Sequence, residues 1–267
     1  GGPPMSMTQP RPVAGAPSAQ PTLPTQRPVG ALMKIVRLHF ADPMRMIGVP
    51  LFIFGSIIVL CIVVMGLLRS FAPASPAELT EGFGYNQATL WCFAGYFVSI
   101  GVMAYSRTMP FALGMGSTRR QYFVGTCLAL LLESVFIGVT MTVLLALEKA
   151  TGHWFNGARV FDVVAIGNGS YSSTFLMGFG LSAAMLFIGA MFAVVFLRWN
   201  QKGVIAVIFG TVAVLLALIW LLLAAGVNPF GWFEGATFAK IALIMILVAL
   251  ISATGSWLML RRAPVGR

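Results

Sequence analysis

The chain has 267 residues, of which 58% are hydrophobic and only 9% are charged, and this composition excludes an ordinary soluble globular domain. The net charge of +10 could suggest nucleic acid as a partner. However, the cations lie beside apolar segments rather than on one continuous basic face, so they indicate anionic lipid and membrane topology, and no nucleic-acid partner is expected. The cysteines Cys61, Cys92 and Cys127 lie inside apolar segments, without the spacing of a disulfide framework or a metal site.

The first segment, residues 1–30, is rich in Pro, Gln, Ser, Thr and Gly, which predicts a disordered cytoplasmic tail. Residues 31–46 then place apolar side chains such as Ile35 near one helical face and Lys34 and Arg37 near the other. This pattern predicts an amphipathic helix in the cytoplasmic interface, with its apolar side in lipid. The alternative is an ordinary basic flank that stops translocation.

Six apolar blocks follow, each of about 18 to 25 residues, which is enough to cross a hydrocarbon core of roughly 30 Å. The blocks are Ile47–Leu68, Ala88–Tyr105, Phe123–Leu147, Phe175–Leu197, Val204–Ala225 and Ala239–Leu260. Of the 17 Lys and Arg residues, 13 fall before the first block, after the last, or in alternate connections. The positive-inside rule therefore places both termini in the cytoplasm. The predicted fold is an all-α integral protein of the cell membrane, with six transmembrane helices in residues 47–262 and a second cytoplasmic tail in residues 263–267.

The connection between the second and third blocks carries the most specific local signal. Pro110 is expected to end the preceding span, and the short apolar run that follows offers a contact surface. Gly114 and Gly116 permit a tight bend, and Ser117 or Thr118 could cap the next helix. The segment contains no acidic residue, so it is typical of an exposed docking element rather than a simple turn.

This run, Met-Pro-Phe-Ala-Leu-Gly-Met-Gly-Ser-Thr-Arg-Arg-Gln-Tyr-Phe, resembles a signature of bacterial type-two ABC exporter permeases. In that signature an apolar residue, a small residue and Gly are followed by x-Thr-Arg-Arg and then by any residue and an aromatic one. The chain is also similar to that family in layout over about residues 31–262, with an amphipathic helix, six spans and both termini inside. Only residues 107–123 are locally specific. The resemblance implies a transmembrane permease subunit that forms half of an export path and pairs with a second permease subunit, identical or not.

In that family the connection between spans two and three docks on a separate ABC ATPase subunit. Carried over by position, the resemblance implies docking residues at Phe111, Leu113, Gly114, Gly116, Thr118, Arg119 and Arg120. The chain has no G-x-x-x-x-G-K-[ST] phosphate loop, so ATP and Mg are expected on the partner ATPase and no cofactor on this chain. No catalytic motif is present, and the two histidines, His39 and His153, lie on opposite predicted sides, so neither an enzyme site nor a metal site is expected.

Glu133 is the one carboxylate in the interior of a predicted span. A charged carboxylate near mid-membrane is costly, so it is expected to face other helices or water, or to be protonated. One reading places Glu133 in a substrate cavity, where it contacts a polar or cationic substrate or carries a proton. The other reading is a packed helix–helix contact near Ser134.

Small residues at i and i+4 predict close helix approach at Gly95 and Ser99 in span two and at Gly180 and Ala184 in span four. Two functional classes stay open at this point. The chain is either the permease subunit of an ABC exporter or a non-transporting membrane protein, such as a sensor or assembly subunit.

Overall fold

The computed structural model of the protein describes residues 28–228 and 237–261, and this part of the chain is helical with no strand. The predicted tail at residues 263–267 and most of the tail at residues 1–30 lie outside the described residues; the first helix already begins at Pro28. The helices are α1 (Pro28–His39), α2 (Val49–Phe71), α3 (Pro76–Phe83), α4 (Ala88–Met103), α5 (Met109–Gly114), α6 (Arg119–Ala150), α7 (Tyr171–Ala224) and α8 (Phe238–Leu260). Single π turns at Met44–Gly48 and Ala104–Thr108 lead into α2 and α5.

Five helical segments in the described residues are long and apolar enough to cross a membrane. They are Met44–Phe71, Pro76–Gly114, Arg119–Ala150, Tyr171–Ala224 and Phe238–Leu260. The described part of the chain is therefore all-helical, and its five candidate spanning helices indicate a multi-pass membrane protein. The fourth and fifth predicted blocks both fall on α7, which has 54 residues. A straight helix of that length would extend about 81 Å, more than twice the roughly 30 Å hydrocarbon core.

Helix α7 is not continuous, because Asn200 has φ 55° and ψ −156°. These angles are not helical, and a positive φ is uncommon for any residue with a Cβ atom, although Asn tolerates it better than most. The interruption lies between the two apolar blocks that the sequence predicts as separate spans. It divides α7 into residues 171–199 and residues 201–224.

Residues 171–199 form the centre of the bundle, and α4, α6 and α8 all pack against them. Helix α8 runs parallel to this part of α7. A Cβ atom on Gly180 would lie 3.5 Å from the carbonyl oxygen of Ala242, and one on Gly255 would lie 3.6 Å from Sδ of Met191. Residue numbers thus increase together along the two helices, so both run in the same direction.

The closest helix approach is between α4 and α7, at Gly101 and Gly189. A Cβ atom on Gly101 would overlap the carbonyl oxygen of Leu186 and lie 2.8 Å from the backbone nitrogen of Ala190. One on Gly189 would overlap the backbone of Val98. The sequence prediction named Gly95 and Gly180 instead. Gly95 has no atom within 4 Å of its would-be Cβ, whereas a Cβ atom on Gly180 would lie 3.3 Å from Cβ of Met245 in α8, so the predicted close approach is found at Gly180 only. Small residues permit this contact because the two backbones can then approach without intervening side chains.

Helix α1 packs its apolar face on protein. Ile35 and Val36 are buried, and Ile35 lies against Gly125 of α6, while Arg37 is exposed. The expectation that this apolar side lies in lipid is therefore wrong for Ile35 and Val36. The location of α1 at the membrane interface stays a prediction.

The connection 151–170, between α6 and α7, folds back into the end of the bundle remote from α1. Its residues Ala158, Val160, Phe161, Val163 and Ile166 are fully buried. Hydrogen bonds tie it to neighbouring elements: Thr89 donates to the carbonyl of Val160 (2.8 Å), and the amide of Val164 donates to the carbonyl of Gly84 (2.8 Å).

One buried side chain organises this connection. The carboxylate of Glu148, fully buried near the end of α6, accepts from the backbone amides of Val160 (3.1 Å), Phe161 (2.8 Å) and Asp162 (3.3 Å). A carboxylate with this many charge-assisted partners satisfies donors that would otherwise be buried without an acceptor. The sequence alone indicates only that Glu148 belongs to the acidic residues on the outer side.

Candidate functional site

The predicted docking segment is a short helix continuous with α4 rather than a loop after it. The π turn Ala104–Thr108 joins α4 to α5, and Pro110 lies in the first turn of α5. Proline is accepted there because first-turn amides have no partner within the helix. The expectation that Pro110 ends the span is therefore wrong, since the helical chain runs on to Gly114.

The end of α5 and the start of α6 are both capped by local hydrogen bonds. The amide of Gly116 donates to the carbonyl of Leu113 (3.0 Å), and Gly116 has φ +86°, a left-handed conformation that favours glycine. Thr118 then caps α6 in a reciprocal pair with Gln121, through bonds of 3.2 Å and 3.0 Å. Of the two predicted capping residues, Thr118 is the one that performs this role.

Side chains along α5 divide into a buried anchor and an exposed face. Met109 and Ala112 are buried, and Leu113 is half-buried against the core, so these residues hold α5 to the bundle. Phe111 is 56% exposed and Met115 is 61% exposed. The predicted contact residue Leu113 is thus mainly structural. Met115 was missed, although its spacing of four residues from Phe111 is the signal that could have identified it.

The two arginines of the segment have different surroundings. Arg119 is partly buried, and its Nη1 donates to the carbonyl of Leu260 at the end of α8 (3.0 Å). Arg120, by contrast, is exposed, as are Gly114, Gly116 and Thr118. The seven predicted positions therefore lie together in one short segment, and five of them reach its surface.

An aromatic cluster joins the docking segment to α1. The hydroxyl of Tyr122 donates to the carbonyl of Ala104, and the Tyr122 ring lies 5.7 Å from the Tyr105 ring and 6.0 Å from the His39 ring. Nδ1 of His39 lies 3.0 Å from the carbonyl oxygen of Ile35, which requires the proton on Nδ1. Burial lowers the pKa of His39 from its usual value near 6.5, and the bond to Ile35 opposes this shift.

Glu133 lies in the interior of α6 and is 2% exposed. Among the described residues, none forms a hydrogen bond with its Oε2 atom. The hydroxyl of the neighbouring Ser134 donates to the carbonyl of Leu130 (2.8 Å). The groove between α6 and α8 and the cavity beside Tyr96 are lined by other residues, and the assignment of Glu133 to a substrate cavity stays a prediction.

The comparisons with known proteins found no matching family model, no matching curated protein and no matching solved structure. In the described residues there is also no group of three or more His, Cys, Asp or Glu side chains that could hold a metal ion. The site thus consists of the short helix α5 with its exposed apolar side chains, the exposed Arg120 at the start of α6, and an aromatic cluster beside them. Its chemistry is that of a contact surface.

Proposed function

We propose that this chain is the permease subunit of an ABC exporter, driven by a separate ATPase that docks on α5 and the start of α6. The observation that carries the proposal is the exposed apolar pair of Phe111 in α5 and Met115 directly after it, beside the anchoring residues Met109 and Ala112. Apolar side chains held rigidly at a polar end of a membrane protein suit contact with a soluble protein, as central anchors of an interface. The exposed Arg120 nearby adds a charge that can complement an acidic partner surface.

The aromatic cluster connects such a contact surface to the packed interior of the bundle. Tyr122 of α6 is bonded to the π turn behind α5, and its ring lies beside the rings of Tyr105 and His39. A force on α5 would therefore act on α1, α4 and α6 together. The proposed role as a coupling element needs this kind of connected, packed contact.

Six spans with both termini inside are part of the proposal, and the chain geometry at Asn200 supports a reversal there. Because α8 runs parallel to residues 171–199, Phe238 lies near the level of Phe175. If α7 continued straight through Asn200, Ala224 would end about 74 Å beyond that level. The chain from Ala224 to Phe238 spans at most about 50 Å when fully extended. Residues 201–224 therefore cannot continue straight from residues 171–199, which supports a return towards the level at which α8 begins.

A second permease subunit is also part of the proposal. Residues 204–224 are exposed along almost their whole length, including Phe209 (70%) and Trp220 (71%). An apolar helix without packing inside its own chain must meet lipid or another subunit. A dimer in which this helix joins two chains would complete a translocation path.

The test is purification of the tagged chain from its native membrane, followed by an assay for a bound ATPase with a phosphate-binding loop. Phe111→Asp with Met115→Asp places charge in the apolar contact and should reduce ATPase recovery at least tenfold. Arg120→Glu should reduce it by a smaller factor through reversed electrostatics. The matched control is Phe155→Asp, because Phe155 is 85% exposed in the connection at the opposite end of the bundle.

Equal recovery of the ATPase with wild type and the double variant would reject α5 as the docking site. If no ATPase accompanies the wild-type chain, the permease assignment fails, and the alternative, a non-transporting sensor or assembly subunit, takes its place.

A further inference from the structure

A groove opens between α6 and α8. These helices each pack along residues 171–199 of α7 but scarcely touch each other. The floor is provided by Phe179, Ala183 and Phe187 of α7, with Cys127 of α6 on one wall and Ala253 and Trp257 of α8 on the other. The groove has a volume of about 290 Å³, and its exposed lining is entirely apolar.

The dimensions of the groove fit one hydrocarbon chain of one membrane leaflet. Its wall on α8 runs from Ile246 to Trp257, which is about 16 Å along a helix axis. Half of a roughly 30 Å hydrocarbon core is about 15 Å. The volume is at the lower end for ligand pockets, so it suits a single chain rather than a bulky ligand.

Cations lie at one end of this groove. The Arg261 guanidinium lies 5.8 Å from the ring centroid of Trp257, which itself contacts the Phe123 ring at a centroid distance of 5.0 Å. Arg119 reaches the same place, because its Nη1 donates to the carbonyl of Leu260. An apolar groove of one-leaflet length with two arginines at its end matches an acyl chain attached to an anionic headgroup.

We propose that the groove between α6 and α8 binds an anionic phospholipid, with one acyl chain against α7 and its phosphate at Arg119 and Arg261. The site requires only that the chain is embedded in a membrane, and it does not depend on the proposed export function. The expected occupant is a lipid of the bilayer rather than a soluble phosphate, because the apolar groove and the cations form one continuous surface.

Trp257 provides a direct readout, since brominated acyl chains quench tryptophan fluorescence on contact. A full-length variant retaining Trp257, with the other five Trp residues replaced by Phe, is placed in bilayers with brominated phosphatidylglycerol or brominated phosphatidylcholine. We expect quenching at lower mole fractions of the anionic lipid, with at least a fivefold preference, because each cation near the surface contributes about that factor. If the multiple substitution impairs folding, the difference between wild type and Trp257→Phe gives the same quantity.

Two changes separate the headgroup contact from the chain contact. Arg119→Gln with Arg261→Gln should bring the preference close to one, since both substitutions remove the positive charge and keep a polar side chain. Ala253→Phe fills the groove and should remove preferential quenching as well. The controls are Arg198→Gln, at the same end of the bundle but outside the groove, and Leu247→Phe, an exposed position of α8 outside its lining.

Equal quenching of wild type by the two lipids overturns the proposal. It is also overturned if the preference survives in the double arginine variant or in Ala253→Phe. Relief of quenching by a neutral apolar compound, with no preference between the lipids, would assign the groove to a different occupant and so exclude the anionic lipid.

Discussion

Two carboxylates of α6 are buried, and their hydrogen-bond environments differ. Glu148 accepts three backbone amides, whereas Oε2 of Glu133 has no partner among the described residues. A buried acceptor that is satisfied stabilises the fold, and an unsatisfied one costs free energy of folding. The two residues therefore give opposite predictions.

We expect Glu133→Gln to preserve or raise the melting temperature of the purified protein. An acidic side chain near mid-span costs at least about 2.5 kcal/mol when charged, and the uncharged amide avoids that cost. A marked loss of thermal stability would instead indicate an interaction of Glu133 that stabilises the fold. If stability is kept and export by the complex falls sharply, the carboxylate has a role in transport; normal export across a pH range would return it to a packing role.

We expect Glu148→Ala to destabilise the protein by on the order of 3 kcal/mol, because it leaves three backbone amides, two of them buried, without an acceptor. Glu148→Gln, which keeps one acceptor oxygen, should cost less. Thermal unfolding in detergent measures the difference, and Glu81→Ala, a change at an exposed acidic residue, is the control. A Glu148→Ala variant as stable as this control would contradict the assigned role of Glu148.

The contact residues of α5 show which features local sequence patterns can predict and which they cannot. The Thr118 cap and the Gly116 bend could be predicted, because both depend on residues close in the chain. The burial of Leu113 and the exposure of Met115 could not, since they depend on how α5 rests on α4 and α6. A pattern of apolar residues does not indicate which side of a single-turn helix faces protein.

At the scale of helices, the crossing of α4 and α7 depends on two glycines. Gly101→Ala and Gly189→Ala each place a methyl group against the backbone of the opposing helix, which cannot move aside as a side chain can. We expect each to cost about 1 to 3 kcal/mol, the usual range for overpacking. Gly95→Ala and Gly210→Ala are matched controls in the same two helices, because no atom lies within 4 Å of the added methyl group.

Melting temperatures of the four variants decide this prediction. The two control variants should equal wild type or exceed it slightly, as Ala favours a helix over Gly. Equal stability of Gly189→Ala and Gly210→Ala would show that the close approach does not exist in the membrane. The sequence indicated small residues in both spans, but it could not distinguish Gly101 from Gly95, because either face of α4 could meet α7.

The attachment of α1 to α6 should weaken in acid. Burial holds the pKa of His39 below its usual value of 6.5, so undocked α1 binds a proton more readily than docked α1. The attachment of α1 to α6 is therefore unaffected above pH 6.5. As the pH falls from 6.5 towards the lower pKa of the attached state, the equilibrium constant for attachment falls by up to about tenfold per pH unit. A protonated His39 would also have a buried Nε2 donor without a partner among the described residues.

Hydrogen exchange of the α1 amides at pH 7.5 and pH 5.5, corrected for intrinsic exchange rates, measures this equilibrium. His39→Gln should remove the pH dependence, whereas His153→Gln should retain it, because His153 lies in the connection at the far end of the bundle. Identical protection of α1 at both pH values in wild type would contradict the prediction.

For the whole molecule, hydrophobic length and charge predicted the helical class and the positions of the apolar blocks. They did not predict that two blocks would lie on one helical segment broken only at Asn200, nor that the 151–170 connection would be packed inside the bundle. The interruption of α7 rests on one residue with unusual backbone angles, and the packing of the connection rests on contacts such as that of Phe161 with Phe54 of the distant helix α2. Neither feature therefore has a local signature in the sequence.

The last prediction tests the six-span topology by single cysteines in a chain whose native cysteines are replaced. Val164→Cys, 44% exposed in the connection predicted to lie outside, should react with a membrane-impermeant maleimide on intact cells, while its fully buried neighbour Val163→Cys should not. Gly114→Cys and Gln201→Cys should react only after permeabilisation, because both lie on the predicted cytoplasmic side.

Val227→Cys distinguishes six spans from five. A reversal at Asn200 returns Val227, which is 52% exposed, to the outer side, whereas an unreversed α7 leaves it inside. Labelling of Val227→Cys only after permeabilisation would therefore reject the sixth span, and with it the placement of both termini in the cytoplasm.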